Sequence, residues 1–141
     1  MSLYAIHTQQ HDGDWFGVWR VAQTMGIRIV GELDDDRNPV WRAKVDELCA
    51  RDGLPRFIAL DVRAAIPAAS LPRRMQTAAW GRRMLASIEY ASLAVGKDAR
   101  VGITIGAIMR IVGMSNASLR NTDDAFTRDI DAMLRGERPS P

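Results

Sequence analysis

Few residues in this 141-residue chain stand at spacings that could carry chemistry. The clearest group lies where a predicted helix begins: Ser70 supplies a hydroxyl at the helix N-terminus, and Arg73 and Arg74 follow in the first turn. A helix N-terminus is partly positive, so this group could hold a phosphate or dock an acidic partner. The simpler interpretation of Ser70 is an N-cap, which contributes about 1 kcal/mol to helix stability. We favour capping for Ser70 and take the surface as the candidate partner site.

Asp61 is the second candidate, because it follows the apolar run 57–60 at the predicted end of a buried strand. Ligands of α/β proteins gather at the carboxyl ends of strands, where such a carboxylate can contact them. Capping of the loop that follows is an equally good interpretation. Asp61 therefore joins Ser70, Arg73 and Arg74 in the candidate partner surface.

Other reactive residue types lack partners at useful spacing. The acidic run 34–36 precedes a helix, where acidic residues are favoured without any metal, and it matches no calcium loop. His7 and His11 have no cysteine or glutamate at ligand spacing, and Cys49 falls in an apolar helical pattern. The sequence also has no glycine-rich phosphate motif and no nucleophile set. We therefore predict no catalytic residue, no metal and no cofactor.

Composition places the chain among ordinary soluble domains, with 47% hydrophobic and 26% charged residues. A formal charge of +2 is too small to indicate a nucleic-acid binder. No apolar run reaches the roughly 20 residues that span a bilayer, and the N-terminus does not look like a secretory signal. These features predict a cytoplasmic protein without nucleic-acid or membrane partners.

The predicted elements alternate after an opening set of strands. Periodicity and cap signals predict a helix that begins at Asn38 and Pro39 and is ended by Gly53, and a later helix in which Gly81 allows close packing on the sheet. Thr122 caps the last helix. The predicted strands are 3–8, 15–21, 27–33, 56–62, 90–95 and 117–120, with a turn at 24–26, and the predicted helices are 38–53, 70–89, 98–113 and 122–135.

This order predicts an α/β fold: a mixed sheet, opened by an antiparallel meander and continued by strand–helix units, covered by about four helices. The strand 56–62 is apolar on both faces and should be buried at the centre. One domain occupies 1–135, and 136–141 should be a flexible tail.

Several short signatures carry a family resemblance. An early strand ends in Gly31 and Glu32, the central strand ends in Leu60-Asp61-Val62, and an aromatic residue, Phe126, lies near the start of a C-terminal helix that follows a short strand. The chain resembles the STAS domain, and more closely the bacterial SpoIIAA-like (STAS/CRAL–TRIO-like) family. The resemblance implies regulatory protein binding or a lipid-like ligand. Anti-sigma-factor antagonists are phosphorylated on a serine in an Asp-Ser-Ser-Gly-type segment, of which this chain keeps only Ser70.

Two functions remain open. The first is a non-catalytic regulatory or protein-binding module of unknown pathway, with its contact surface at 66–70 and the first turns of the helix that follows. The second is a carrier that binds an apolar or lipid-like molecule between a helix and the sheet, lined by Gly102, Gly106, Met109 and Met114.

Aromatic residues predict further contacts between proteins. Trp15, Phe16 and Trp19 are concentrated in strands that should lie at a sheet edge. They either cover the core or form half of a homodimer contact, and we predict a homodimer through this hairpin. Trp80, in a helix that carries four arginines, predicts a docking surface for an acidic partner.

Overall fold

The structure, a computed structural model, describes residues 7–11, 14–32, 38–66, 71–95 and 116–140. The strands are β1 His7–His11, β2 Asp14–Val21, β3 Thr24–Glu32, β4 Phe57–Ile66, β5 Tyr90–Ala94 and β6 Ala117–Arg120. The helices are α1 Asn38–Asp52, α2 Leu71–Ala86 and α3 Asp123–Leu134. None of these helices is long and apolar enough to cross a membrane.

The six strands form one mixed sheet in the order β1-β2-β3-β4-β5-β6. β1, β2 and β3 pair antiparallel, whereas β3, β4, β5 and β6 pair parallel. This confirms the predicted α/β class, with an antiparallel meander followed by strand–helix units. The predicted turn at 24–26 is wrong: the chain turns at Ala22 and Gln23, and Ala22 adopts the left-handed φ of 49° that the tight connection requires.

β4 lies inside the sheet between β3 and β5, as its apolar sequence predicts. Phe57 and Ala59 are fully buried on one face of the strand, and Ile58 is 3% exposed on the other. The predicted end of this strand at residue 62 is wrong, since β4 continues to Ile66.

Helices α1 and α2 cover one face of the sheet, which we call the α1 face. In α1, Trp41, Val45 and Leu48 follow the helical spacing i, i+4, i+7 and are buried there against the strands, which confirms the apolar helical pattern in which we placed Cys49. Trp41 meets Trp80 of α2 edge to face, with 4.8 Å between ring centroids. Gly81 does not serve the close packing that we predicted, because a Cβ added to it would meet nothing within 4 Å.

Helix α3 covers the opposite face, which we call the α3 face. Trp19 and Phe126 are fully buried there, and Ile130 packs with them. The Trp19 ring lies directly over Gly26, where a Cβ would fall 1.9 Å from Trp19 Cε2. A residue so buried cannot contribute to the homodimer hairpin that we predicted, and the side chains of the other two aromatic residues of that hairpin are outside the described part.

The last described residues pack on the domain, whereas we predicted a flexible tail over 136–141. Arg56 Nη1 donates to the carbonyl oxygen of Gly136 at 2.9 Å, and Arg120 Nη2 donates to that of Ser140 at 2.8 Å. Pro139 between them is buried. Three of the expected four helices are present, and the fourth, predicted over 98–113, lies outside the described residues.

Candidate functional site

Asp61 is the centre of a cluster of ionic groups on the α3 face. Its side chain is 2% exposed and is bound mainly by one neighbour in the same strand, Arg63. Arg63 donates to Asp61 through its backbone N–H at 3.1 Å, its Nε at 3.0 Å and its Nη2 at 2.9 Å. Arg28 Nε of β3 lies 3.6 Å from Asp61 Oδ2. The carboxylate is thus held from two strands.

An irregularity of the sheet explains why Asp61 binds its own strand. Arg28 pairs with Asp61 and Val30 pairs with Ala64, so β4 has one residue more than β3 between these pairs. The extra residue is a β-bulge, which removes a backbone N–H from the regular ladder. Asp61 Oδ1 accepts a bond from the N–H of Arg63, as a local cap would. The capping interpretation of Asp61 is therefore the one that the geometry supports.

Arg63 lies on the same face of β4 as Asp61 and reaches helix α3. Arg63 Nη1 donates to Asp123 Oδ1 at 2.7 Å, and the guanidinium carbon lies 5.6 Å from the centroid of the Phe126 ring. The hydrogen bond with Asp61 raises the pKa of Arg63, with a further contribution from Asp123. Arg63 therefore connects the central strand with the first turn of α3 through a charge-assisted network.

A second polar cluster lies farther along α3 and includes a buried carboxylate. Asp129 is 5% exposed, accepts a bond from Ser92 Oγ at 2.6 Å, and is bound by Arg120 Nε at 2.7 Å. The bond to Asp129 raises the pKa of Arg120. Tyr90 is hydrogen-bonded to Ser118 beside this cluster, and burial raises the pKa of Tyr90. Together these bonds attach α3 to β5 and β6.

The predicted partner surface does not form one site. β4 extends well beyond Asp61, and at about 3.3 Å per residue the strand end at Ile66 lies roughly 16 Å away. Asp61 also faces α3, whereas Arg73 and Arg74 belong to the first turn of α2 on the other face. The side chains of Arg73 and Arg74 are not described, and Ser70 lies outside the described residues. Asp61 therefore does not belong to the surface that Ser70, Arg73 and Arg74 define.

Sequence reasoning missed most members of the two clusters, although one signal was present. Asp129 is three residues after Phe126 and four before Met133, both of which are on the buried stripe of α3. A carboxylate on such a stripe must be paired, because an isolated buried charge is costly. The position of Asp129 in the sequence therefore predicts that a basic or hydroxyl side chain, such as that of Arg120, pairs with it in the core. The pairing of Arg63 with Asp123 has no comparable local signal.

Several residues that we considered as metal ligands or as the lining of a ligand site lie outside the described residues. Within residues 7–11, 14–32, 38–66, 71–95 and 116–140, no three histidine, cysteine or acidic side chains are grouped to hold a metal ion. The acidic run 34–36 lies outside these ranges. The expected carrier lining, formed by Gly102, Gly106, Met109 and Met114, also lies outside them, so the carrier hypothesis remains a prediction.

The two clusters have one feature in common: the carboxylates of Asp61 and Asp129 are occupied by arginine and hydroxyl groups of the domain itself. These bonds hold α3 against the sheet. The remaining candidate surface is the exposed side of α2. No family model matches the chain, and a search of curated proteins finds no significant match.

Proposed function

We propose that this chain is a non-catalytic, regulatory or protein-binding module of the STAS type that acts in the cytoplasm. The proposal is supported by the mixed sheet, in which an antiparallel meander leads into four parallel strands, with α1 between β3 and β4 and α2 between β4 and β5. That arrangement agrees with the family resemblance carried by Gly31-Glu32 and Leu60-Asp61-Val62. Fold alone does not assign an activity, so the argument for binding rests on α2.

The observation that carries the proposal is the charge of α2. This helix contains four arginines and no acidic residue, and Arg73 and Arg74 lie in its first turn. The partial positive charge of the N-terminus adds to theirs, although the whole chain carries only +2. A surface of this kind fits an acidic segment of a protein partner. The helix begins just beyond the carboxyl end of β4, on a side of the sheet that α3 does not cover.

The test compares partners captured from the native host by the wild type and by Arg73→Glu/Arg74→Glu. We expect loss of a specific partner from the double variant, because reversal places acidic groups opposite an acidic segment. The matched control is Arg128→Glu/Arg135→Glu, which reverses two exposed arginines of α3 and its C-terminal cap. The control should retain the partner.

Ser70 gives an independent readout of the same surface. Ser70→Asp imitates the charge of a phosphate and should weaken partner capture, whereas Ser70→Ala should leave it unchanged. Equal capture by wild type and Arg73→Glu/Arg74→Glu would exclude this surface. If no specific partner is captured, native mass spectrometry of the purified protein tests the carrier alternative, since a retained apolar molecule adds to the measured mass.

A further inference from the structure

The outer sides of α1 and α2 carry complementary patterns at identical spacing. In α1, Ala43, Asp46, Glu47 and Ala50 follow the helical spacing i, i+3, i+4, i+7 and are all exposed. In α2, Ala79, Arg82, Arg83 and Ala86 have the same spacing and are also exposed. We call these the acidic stripe and the basic stripe. Each presents two adjacent charges of one sign between two small residues.

The charges of the stripes are largely available for a partner. Among the described residues, neither Arg82 nor Arg83 forms an ion pair, and neither does Asp46. Glu47 is 3.3 Å from Lys44 in an exposed pair, and its side chain remains 65% exposed. Exposed pairs of this kind hold their partners weakly, so Glu47 can exchange Lys44 for a stronger contact.

An exposed apolar residue lies near each stripe. Leu54 lies two residues beyond the end of α1 and is 57% exposed, and Met75 precedes Ala79 by four positions in α2 and is 64% exposed. The framing alanines allow two helices to approach closely. Exposed large apolar groups beside a charged stripe are a common composition of interfaces.

The fold places the two stripes where a second copy can use both. Helix α1 connects β3 with β4, and α2 connects β4 with β5, so both run opposite to these parallel strands on the α1 face. The contact of Trp41 with Trp80 places the helices side by side. A copy rotated by 180° about an axis parallel to the helices lays its α2 on α1 and its α1 on α2. A two-fold interface requires this reciprocity.

We propose that the chain forms a two-fold homodimer in which the acidic stripe of each subunit packs against the basic stripe of the other. Asp46 pairs with Arg82 of the partner subunit, and Glu47 pairs with Arg83 of the partner subunit. The occupant is a second copy, because one molecule supplies both halves of the complementary pattern. The interface uses the last turns of α2, and it is separate from the proposed partner surface at Arg73 and Arg74.

Charge reversal provides a direct test by sedimentation velocity. The wild type should be a dimer that dissociates on dilution. The variants Arg82→Glu/Arg83→Glu and Asp46→Arg/Glu47→Arg should each raise the dissociation constant at least about 100-fold, because like charges then face one another twice in every dimer. Far-UV circular dichroism should match the wild type, since the altered side chains are exposed. The control Arg128→Glu/Arg135→Glu should remain dimeric.

Mixing the two variants supplies the decisive measurement. In a mixed dimer the reversed acidic stripe faces the reversed basic stripe, and the two unaltered stripes also face each other, so both halves become attractive again. Native mass spectrometry should show the heterodimer in excess of either homodimer, and the fourfold variant that combines all substitutions should dimerise by itself. A monomeric wild type, a dimer that tolerates both reversals, or a mixture that stays monomeric would each overturn the proposal.

Discussion

Removal of the two partners in the Asp61–Arg63 pair should have unequal effects on stability. The Asp61 side chain is 2% exposed, whereas Arg63 is 28% exposed. Arg63→Met leaves a buried carboxylate whose remaining cation, within the described part of the chain, is Arg28 at 3.6 Å. Breaking a buried pair in this way costs about 3–5 kcal/mol, and we expect about 3 kcal/mol because Arg28 and the backbone N–H at position 63 remain.

The reverse substitution, Asp61→Asn, should be milder. The amide oxygen can still accept the N–H of residue 63 at the bulge, and the partly exposed Arg63 guanidinium can be solvated by water. We expect a loss of about 1.5 kcal/mol, the lower end of the scale for a hydrogen bond to a charged group. The double variant removes both charges, so its cost should fall below the sum of the single costs by about 2 kcal/mol.

Urea unfolding followed by tryptophan fluorescence measures these costs, provided that the denaturant dependence of the free energy is unchanged between variants. The control is Asp123→Asn, which removes an exposed partner of Arg63 at 2.7 Å. The Asp123 side chain is 76% exposed, so its loss should cost less than about 1 kcal/mol. Equal costs for Arg63→Met and Asp61→Asn, or strictly additive costs in the double variant, would refute the argument.

Three further predictions use the same protein. Gly26→Ala should lower the free energy of unfolding by about 1–3 kcal/mol, because a Cβ would lie 1.9 Å from the buried Trp19 ring. Gly81→Ala, with open space at the Cβ, should raise it by about 1 kcal/mol. A urea midpoint that does not fall for Gly26→Ala, or does not rise for Gly81→Ala, would contradict the corresponding prediction. Burial raises the pKa of Tyr90 above 10.0, so the unfolded chain loses this proton first and stability falls as the pH rises above 10.0. Tyr90→Phe should remove the higher step of an ultraviolet phenolate titration. Persistence of that step in the variant would disprove the assignment. Thr122→Ala should cost about 1 kcal/mol of stability through loss of the N-cap of α3, which an unchanged thermal midpoint would exclude.

Local patterns predicted most of the elements correctly. The apolar stripe of α1, the cap at Thr122 and the buried β4 all follow from short-range spacing, and the structure confirms them. The end of β4 was wrong because the bulge changes the face alternation: Val62 and Ala65, three residues apart, both belong to the α1 face. In the sequence, the inserted residue interrupts the alternation of buried and exposed residues, and this interruption resembles the end of a strand.

The polar clusters were less predictable because their members are distant in sequence. Arg63 meets Asp123 only after α3 has folded back over the sheet, and Ser92 meets Asp129 in the same way. The spacing of these residues along the sequence indicates neither pair. Trp19 was assigned to an interface by its residue type, whereas Gly26 on the neighbouring strand opens the space that buries its ring. The burial of a strand residue such as Trp19 depends on the residue that pairs with it on the neighbouring strand. That partner is known only once the register of the two strands is known.

The packed tail has a consequence for the way in which this domain opens. Arg56 before β4 and Arg120 at the end of β6 bind carbonyl oxygens at the two ends of 136–140. Arg120 also binds Asp129, so α3, β6 and the tail share one guanidinium. Amide protons of these three segments should therefore exchange with solvent as one cooperative unit, because release of the tail removes a restraint common to all of them.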